Sequence, residues 1–176
     1  MTHSILKFAI ALTLAALPVT TPAVAQDIVF DESLSQSCYY ESGVVDGDGY
    51  PASDCVGVSA NACQDATPDG STTIGIGFCL RAEYAFWDEM LNEAYGTLRN
   101  RLKENDANRG DGAPSQVDAL RDMQRAWITY RDAACAFERS LWANGSGASI
   151  GQISCLMNET AGQLFVLTTE IDMVGL

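Results

Sequence analysis

Two segments in the second half of the chain carry apolar residues at the spacing of a single α-helical face. The first stripe comprises Leu80, Tyr84, Trp87, Leu91, Tyr95, Leu98 and Leu102. The second comprises Leu120, Met123, Trp127, Tyr130, Ala134, Phe137 and Leu141. Steps of three and four residues place each set along one side of a helix. Because neither stripe is stable in water, the pattern predicts two helices that bury these faces against each other and against a third element.

A third stripe near the C-terminus supplies that element. It comprises Ile153, Leu156, Thr160, Leu164, Leu167 and Ile171. Ser149 and Gln152 have the spacing of a capping box and predict where this helix begins. A short helix is expected around residues 58–63, and the segment 26–54 is rich in turn formers and is expected to be mostly loop. The predicted fold is all-α, a bundle of three main helices with a short N-terminal helix and a loop-rich N-terminal segment.

The bounds of the first two main helices follow from residues that cap or break helices. The first helix is expected to begin at residue 72 or 73 and to run to about Lys103, where the segment ENDANRGDGAP breaks it. The second is expected to open at a capping box formed by Ser115 and Asp118, and to fade near residues 144–145.

The first 25 residues have the features of a secretory signal peptide. Lys7 precedes an apolar run over residues 8–17, and Ala-Val-Ala at 23–25 is a small-residue pattern of the kind that signal peptidases cleave. The apolar run is too short to span a bilayer. We therefore expect cleavage before Gln26 and a periplasmic or secreted protein, with the helical domain over residues 55–176.

The charge balance of the chain is strongly acidic. It has 10 Lys and Arg against 23 Asp and Glu, a net charge of −13. Loss of residues 1–25 would remove Lys7 and the only histidine, His3, leaving 9 basic residues and a net charge of −14. Nucleic acids and anionic membrane surfaces are bound mainly through Lys and Arg. The composition therefore argues against both and favours a cationic partner, although the same charge also serves solubility.

Six cysteines in an exported chain predict three disulfides. They are Cys38, Cys55, Cys63, Cys79, Cys135 and Cys155. Successive cysteines bracket a Gly- and Asp-rich loop, the segment TPDGSTTIGIG and the turn before the third main helix. Nearest-neighbour pairing is therefore the expectation among the many possible pairings. A metal site is the competing interpretation, but no CxxC pair occurs and the mature chain would lack histidine, so we expect neither a metal nor a cofactor.

The helical segments share motifs with a family of bacterial envelope proteins. The motifs are Cys79-x3-Glu83-x3-Trp87-Asp88-x2-Leu91-Asn92-x2-Tyr95-x2-Leu98, then Leu120-x3-Gln124-x2-Trp127-x3-Arg131-Asp132-x2-Cys135, then Gly145 to Gly147, Cys155 and Thr160. Between about Cys55 and Leu167 the chain resembles the LprI-like family, many of whose members are known only as a domain of unknown function. The family is named after a lipoprotein that inhibits lysozyme. The resemblance implies an exported helical domain and suggests lysozyme inhibition.

The polar and aromatic residues of these motifs have two interpretations. The set is Glu83, Trp87, Asp88, Asn92, Gln124, Trp127, Arg131 and Asp132. Gln124 and Arg131 lie two turns apart on one side of the second helix, where Glu83 and Asn92 of the first helix are expected to face them. A hydrogen-bond network that fixes how the helices dock is the favoured interpretation, with Arg131 bound to a carboxylate and Asn92 to backbone. A ligand site between the helices is the alternative.

No catalytic constellation is expected. Without histidine, Ser-His and Cys-His nucleophiles are unavailable, and the cysteines are expected to be oxidised. Glu83 with Asp88 or Glu89 has the residue types of a glycosidase pair, but neighbouring acids on a helix more often form a solvated face. The segments DGDGYPASD and DANRGDG hint at calcium loops but depart from the EF-hand spacing. The chain is therefore predicted not to be an enzyme.

Two classes of function remain. The first is a proteinaceous inhibitor of lysozyme, because the common animal lysozymes are strongly basic and would be steered toward an acidic domain. The candidate contacts lie in two acidic, glycine-bearing loops and are Asp46, Asp48, Asp54, Asp106 and Asp111. The second is an envelope interaction domain, or a helical pocket for a small ligand, without lysozyme activity. The sequence leaves the oligomeric state open.

Overall fold

The protein is an all-α bundle in a computed structural model that describes residues 28–42, 52–110 and 112–175. These residues form five α-helices and no β-strand. The helices are α1 (Ser33–Glu41), α2 (Val58–Ala66), α3 (Thr73–Asn108), α4 (Gln116–Ser140) and α5 (Ala148–Val174), and a short 3-10 helix (Ala52–Cys55) precedes α2. The predicted all-α class and the bundle of three main helices are confirmed.

The long helices α3 and α5 pack against each other to form the centre of the bundle. Their buried stripes include Leu80, Trp87, Leu91, Leu98 and Leu102 of α3, and Ile153, Thr160, Leu164 and Leu167 of α5. Both sets follow the predicted spacing. α3 nevertheless continues to Asn108, beyond the predicted end near Lys103, so the acidic segment after Lys103 is still helical.

The start of α3 is fixed by a cap and by close backbone packing. The Thr72 hydroxyl accepts a hydrogen bond from the Gly75 amide at 3.1 Å, which satisfies one of the free amides of the first turn. A Cβ at Gly75 would collide with the backbone of Asp69 and Gly70, so glycine allows the preceding loop to lie directly against the helix. α3 therefore begins where the sequence predicts.

The three disulfides follow the predicted nearest-neighbour pairing. They join Cys38 to Cys55, Cys63 to Cys79, and Cys135 to Cys155, with Cα–Cα distances of 5.5, 5.6 and 5.4 Å. The first pair ties α1 to the 3-10 helix, the second ties α2 to α3, and the third ties α4 to α5. Each main helix is thus covalently linked to another element.

Part of the N-terminal segment that was expected to be loop is helical. The prediction of mostly loop over 26–54 is wrong at residues 33–41, which form α1. Tyr39 of α1 is buried, stacks on Phe165 at 5.6 Å between ring centroids and meets the edge of Trp87 at 6.0 Å. Its hydroxyl also bonds with that of Thr168 at 3.2 Å. α1 therefore completes the aromatic part of the core.

Helix α4 buries far less of its apolar stripe than predicted. Only Leu120 and Cys135 are fully buried, and Trp127 and Ala134 are partly buried. Four members of the stripe, Met123, Tyr130, Phe137 and Leu141, are 40%, 59%, 65% and 62% exposed. α1 and α2 also pack on the core formed by α3 and α5, so only one side of α4 contacts the core. The expectation that this whole stripe is buried was wrong.

The other predicted bounds differ by a few residues. α4 begins after Ser115, whose hydroxyl accepts from the Asp118 amide at 3.2 Å, as predicted. It ends at Ser140 rather than near residue 144. α5 begins at Ala148 after Gly147, without a side-chain cap, so the predicted capping box at Ser149 is wrong. Among the described residues, no helix is long and apolar enough to cross a membrane.

Candidate partner-binding surface

Glu83 is a fully buried carboxylate that joins α3 to the N-terminal elements. Its Oε1 accepts hydrogen bonds from the Ser35 hydroxyl (3.0 Å), the Gly57 amide (2.7 Å) and the Trp87 indole N–H (2.9 Å). Its Oε2 accepts from the Ala60 amide at 2.6 Å. Buried charge is tolerated when hydrogen bonds replace its hydration, and here four donors do so.

This arrangement assigns Glu83 a structural role. Both of its oxygens are occupied by donors from α1, α2 and α3, so the expectation that Glu83 faces the polar side of α4 was wrong. The residue also does not pair with Asp88 or Glu89, which lie nearer the surface of the same helix. The hydrogen bonds of Glu83 thus fix how the N-terminal segment docks on α3. The sequence predicted a docking network of this kind, but between α3 and α4.

Arg131 lies between an aromatic ring and a carboxylate at the outer junction of α3 and α4. Its guanidinium carbon is 4.9 Å from the centre of the Trp127 ring, a cation–π contact. Two of its nitrogens donate to Asp132 Oδ1 at 3.0 and 2.9 Å, as predicted for an arginine bound to a carboxylate. Burial raises the pKa of nearby Tyr84, while the positive charge of Arg131 partly offsets that rise. Trp127 is therefore only partly buried: it packs against the edge of the hydrophobic core and also contacts Arg131.

Gln124 links α4 to α5 and not to α3. Gln163 is buried in the α5 face and donates from Nε2 to Gln124 Oε1 at 3.0 Å. The sequence network omitted Gln163, although a polar residue three positions after Thr160 on an apolar face is a signal of such a contact. This bond and the Cys135–Cys155 disulfide hold the inner edge of α4 against α5.

Asp88 and Asn92 lie on the outer side of α3. The Asn92 side chain donates to the Asp88 carbonyl at 2.8 Å and to Asp88 Oδ2 at 3.1 Å. Its predicted bond to backbone is therefore present, but within one helix and not between helices. The predicted network thus divides into a buried set around Glu83, an α4–α5 pair at Gln124, a largely buried Arg131 on Trp127 whose carboxylate partner Asp132 is exposed, and a surface pair at Asp88 and Asn92.

The surface pair at Asp88 belongs to a wider acidic region. α3 carries no Lys or Arg between Arg81 and Arg99. A shallow cavity of about 600 Å³ on this stretch is lined by Tyr84, Ala85, Asp88, Glu89, Asn92 and Glu93. A second cavity, of about 270 Å³, shares Glu93 and adds Tyr40 and Asp172. We refer to Asp88, Glu89, Glu93 and Asp172 as the acidic face.

The five aspartates predicted as loop contacts do not share one kind of site. Asp54 is exposed in the 3-10 helix. Asp46, Asp48 and Asp111 lie outside the described residues. Asp106 lies in the last turns of α3, where its carboxylate accepts from the amides of Gln116 and Val117 at 3.0 and 3.1 Å and from the Ser115 hydroxyl at 3.0 Å.

Asp106 therefore caps the start of α4 across the α3–α4 turn. The two backbone hydrogen bonds are the main reason that the pKa of its carboxyl lies below the ordinary value, and Ser115 and Arg109 add to the effect. A carboxylate at this place satisfies free amides of the first turn and interacts favourably with the helix dipole. Among the described residues, no cluster of three His, Cys, Asp or Glu side chains is arranged to hold a metal ion.

Comparison with protein families identifies the fold that carries these features. A family described as lysozyme inhibitor LprI matches residues 63–167, which is more than half of the chain. The chain belongs to the LprI family. The matched range includes α3, α4 and most of α5, and therefore every residue of the polar and aromatic motifs. The family resemblance read from those motifs is confirmed.

Two curated relatives share part of this range. The chain is 27% identical over 117 residues to the "Uncharacterized 17.7 kDa protein in puhA 5'region" of Rhodobacter capsulatus, covering 64% of this chain and 72% of the relative. It is 37% identical over 76 residues to "Uncharacterized protein YecT" of Escherichia coli strain K12, covering 42% of this chain and 46% of the relative. The chain thus matches less than half of the length of YecT. No solved structure matches.

Proposed function

We propose that this protein is an exported inhibitor of lysozyme that acts by direct binding. The observation that carries the proposal is the match of residues 63–167 to a family described by lysozyme inhibition. Inhibition by binding requires a surface complementary to the enzyme and no reacting group on the inhibitor. The buried position of Glu83, whose oxygens are both occupied, agrees with a protein that binds without catalysing.

Export agrees with the covalent structure of the domain. Three disulfides with no free cysteine among the described residues are typical of oxidising compartments outside the cytoplasm. We propose cleavage before Gln26. The intact mass of periplasmic protein should show loss of residues 1–25 and of about 6 Da from three disulfides. Six alkylatable thiols in exported material would contradict this.

The acidic face is the proposed contact for the enzyme. Its carboxylates line two shallow cavities on α3 and α5, and α3 carries no Lys or Arg between Arg81 and Arg99. The nearest positive charges are at the borders: Arg131 lies near Tyr84, and Arg101 donates to the Ile171 carbonyl at 2.7 Å. Long-range attraction between opposite charges raises association rates and orients the encounter. Tyr84 and Tyr40 add aromatic surface at the edges of the cavities, and such residues contribute strongly to protein interfaces.

The acidic loop that includes Asp46, Asp48 and Asp54 is a second candidate contact. Its exposed described member, Asp54, lies within the segment that the Cys38–Cys55 disulfide closes, directly before Cys55. A loop of this composition can enter a cleft that normally holds a sugar chain. Asp54 lies in the 3-10 helix, whereas the acidic face lies on α3 and α5, so the two candidates can be tested separately.

Matched charge variants separate these candidates. One variant, the acidic-face variant, neutralises the three α3 carboxylates of the acidic face (Asp88→Asn, Glu89→Gln, Glu93→Gln). Another neutralises the loop (Asp46→Asn, Asp48→Asn, Asp54→Asn). A control removes the same number of charges from other exposed positions (Asp65→Asn, Asp69→Asn, Glu104→Gln). The affinity of each oxidised, mature variant for a basic lysozyme is measured by calorimetry, with circular dichroism to verify folding.

We expect the acidic-face variant to bind at least about tenfold more weakly, corresponding to about 1.4 kcal/mol. The control should bind nearly as tightly as the parent, because its lost charges are remote from the contact. If the acidic-face variant and the control bind equally weakly, the affinity depends on the net charge of the protein and not on a contact at the acidic face. An effect confined to the loop variant would place the contact there. Absence of binding by the parent would favour an envelope interaction domain with another partner.

A further inference from the structure

Helix α4 has an exposed apolar flank that nothing in the described part of the chain covers. Tyr130 and Phe137 are 59% and 65% exposed, and Leu141 is 62% exposed. With Met123, these residues recur at steps of seven and four, so they form a continuous line along the helix. We refer to Met123, Tyr130, Phe137 and Leu141 as the α4 stripe. It is about 27 Å long at 1.5 Å per residue.

We propose that the α4 stripe is the contact between two copies of this protein, whose α4 helices pack antiparallel about a two-fold axis near Tyr130. This interface is separate from the acidic face and does not depend on lysozyme binding. The charge distribution, the position of an apolar cavity and the way α4 is held in the bundle support it.

The charge distribution makes α4 the part of the molecule that a second copy can approach. α4 contains four acidic residues, Asp118, Asp122, Asp132 and Glu138, and four basic residues, Arg121, Arg125, Arg131 and Arg139. The helix is thus neutral, and the rest of the chain carries the whole net charge of −13. Two copies that meet through α4 bring neutral surfaces together, while the acidic remainders stay apart and are screened beyond about 8 Å at physiological salt. A cationic partner would be drawn elsewhere, to the acidic surface.

The cavity at one end of the stripe makes the surface self-complementary. A mainly apolar cavity of about 410 Å³ lies between Leu98 and Leu102 of α3, Ala119 and Met123 of α4, and Val174 of α5. In an antiparallel pair centred on Tyr130, residues equally far before and after it face each other. The second copy's Phe137 then lies opposite Met123, and its Leu141 lies opposite Ala119, at the cavity.

The two-fold symmetry repeats this contact, so that each copy places two large exposed side chains at the other's cavity. Such an isologous interface closes at the dimer and leaves no free apolar end. Ala126 and Ala133, both exposed on the same side of α4, are small enough to let the helices approach closely. The interface thus has Tyr130 at its axis, small side chains beside it and larger apolar side chains toward its ends.

The stripe also lies on a helix that is held firmly in place. Asp106 caps the first turn of α4, and the Cys135–Cys155 disulfide fixes its second half to α5. Gln124 bonds to Gln163 between these two points. Because the helix is held along its inner edge, its outer flank is presented without the cost of ordering a mobile segment.

Sedimentation velocity of the oxidised mature protein tests the proposal. Because one helix pair gives a small interface, we expect a monomer–dimer equilibrium between about 1 and 200 µM. Tyr130→Glu and Phe137→Glu should shift the midpoint to at least tenfold higher concentration. Tyr40→Glu is the matched control, since Tyr40 is a similarly exposed tyrosine, 64%, on α1, whose principal packing partners are α2 and the 3-10 helix.

Cysteine crosslinking gives an independent readout if a glutamate variant fails to fold. Tyr130→Cys should form a covalent dimer rapidly, because the two copies of residue 130 meet at the axis, whereas Tyr40→Cys should not. A parent that remains monomeric to 200 µM, or a dimer that Tyr130→Glu and Phe137→Glu leave intact, would overturn the proposal. So would equal crosslinking of the two cysteine variants. The parent could instead be monomeric and lose binding to lysozyme, or to lipid vesicles, in the glutamate variants. The stripe would then be the contact for lysozyme or for the membrane, and the dimer proposal would be wrong.

Discussion

The buried carboxylate of Glu83 connects the family motif to the docking of the N-terminal segment. Residues 35, 57 and 60 all donate to it, together with the indole of Trp87. Trp87 is therefore held both by its hydrogen bond and by aromatic contacts with Tyr39 and Phe165. Glu83 and Trp87 each contact several separate elements, so substitution of either residue should affect the fold and not a localised function.

Glu83→Gln should lower the free energy of unfolding by about 2–4 kcal/mol, because an amide cannot accept at both ends and leaves a buried donor unpaired. Urea denaturation of oxidised protein measures the change. Glu89→Gln on the exposed side of the same helix is the control and should alter stability by no more than about 0.5 kcal/mol. Equal stability of the two variants would show that the Glu83 hydrogen bonds contribute little.

The two motif tryptophans should differ in their contributions to stability. Trp87 is fully buried, and its replacement by Ala should cost about 3–5 kcal/mol. Trp127 is half-buried beneath Arg131, so Trp127→Ala should cost only about 1–2 kcal/mol from lost apolar burial. Thermal and urea unfolding compare them directly. A larger loss at Trp127 than at Trp87 would contradict the assigned burial.

At the scale of the helices, apolar periodicity predicted which helices exist and which face of each is apolar. It predicted less well which element packs against each face. α3 and α5 bury the stripes that the sequence marks, and Ser115 caps α4 as its spacing predicts. The Tyr130 and Phe137 pattern looks the same in sequence as the stripe of α3, yet it faces solvent. Periodicity identifies an apolar face, whereas the element that packs on this face depends on how all the helices are arranged around the core. Here α1, which has a weak sequence signal, occupies part of that core.

The site was predicted less well than the fold, because spacing along one helix does not specify contacts with another. Glu83 faces α1 and α2 through amides at Gly57 and Ala60, and backbone donors leave no residue-specific signal in a sequence. Asp106 was read as a loop acid available to a partner. Its actual partners, the amides of residues 116 and 117, lie ten and eleven residues further along the chain, across a turn.

Asp106→Asn should lower the melting temperature at neutral pH, because it weakens the cap of α4. The Asp106 pKa is lowered in the folded state, so the carboxylate stabilises the fold fully above the ordinary value of about 3.8. That stabilisation is lost as the pH falls through the lowered pKa. The difference between the melting temperatures of parent and variant should therefore be largest at neutral pH and shrink as the pH falls below the lowered pKa. A constant difference across this range would exclude the charge as its source.

The Cys135–Cys155 disulfide should stabilise the α4–α5 pair measurably. It closes a loop with a sequence separation of 20, for which restriction of the unfolded chain contributes about 3 kcal/mol. The double variant Cys135→Ser, Cys155→Ser should show that loss in urea denaturation while keeping its helical circular dichroism. Unchanged stability would mean that the bond between Gln124 and Gln163 and the surrounding packing suffice.

Over the described part of the molecule, the acidic face and the α4 stripe lie on different helices. The acidic face lies on α3 and α5, whereas the neutral α4 presents the apolar stripe. A protein with this division can attract a cationic enzyme by one surface and pair with its own copy by another. Composition alone gives the net charge of −13 but not this separation, which requires the arrangement of the helices.

The most direct test of lysozyme inhibition is the rate of bacterial cell-wall lysis by a basic lysozyme, measured with increasing oxidised mature protein at low and at physiological salt. Inhibition should be dose-dependent at low salt. It should weaken as salt rises, because surface charges more than about 8 Å apart are largely screened at physiological ionic strength. Unchanged lysis at tens of micromolar folded protein and low salt would contradict the proposed function.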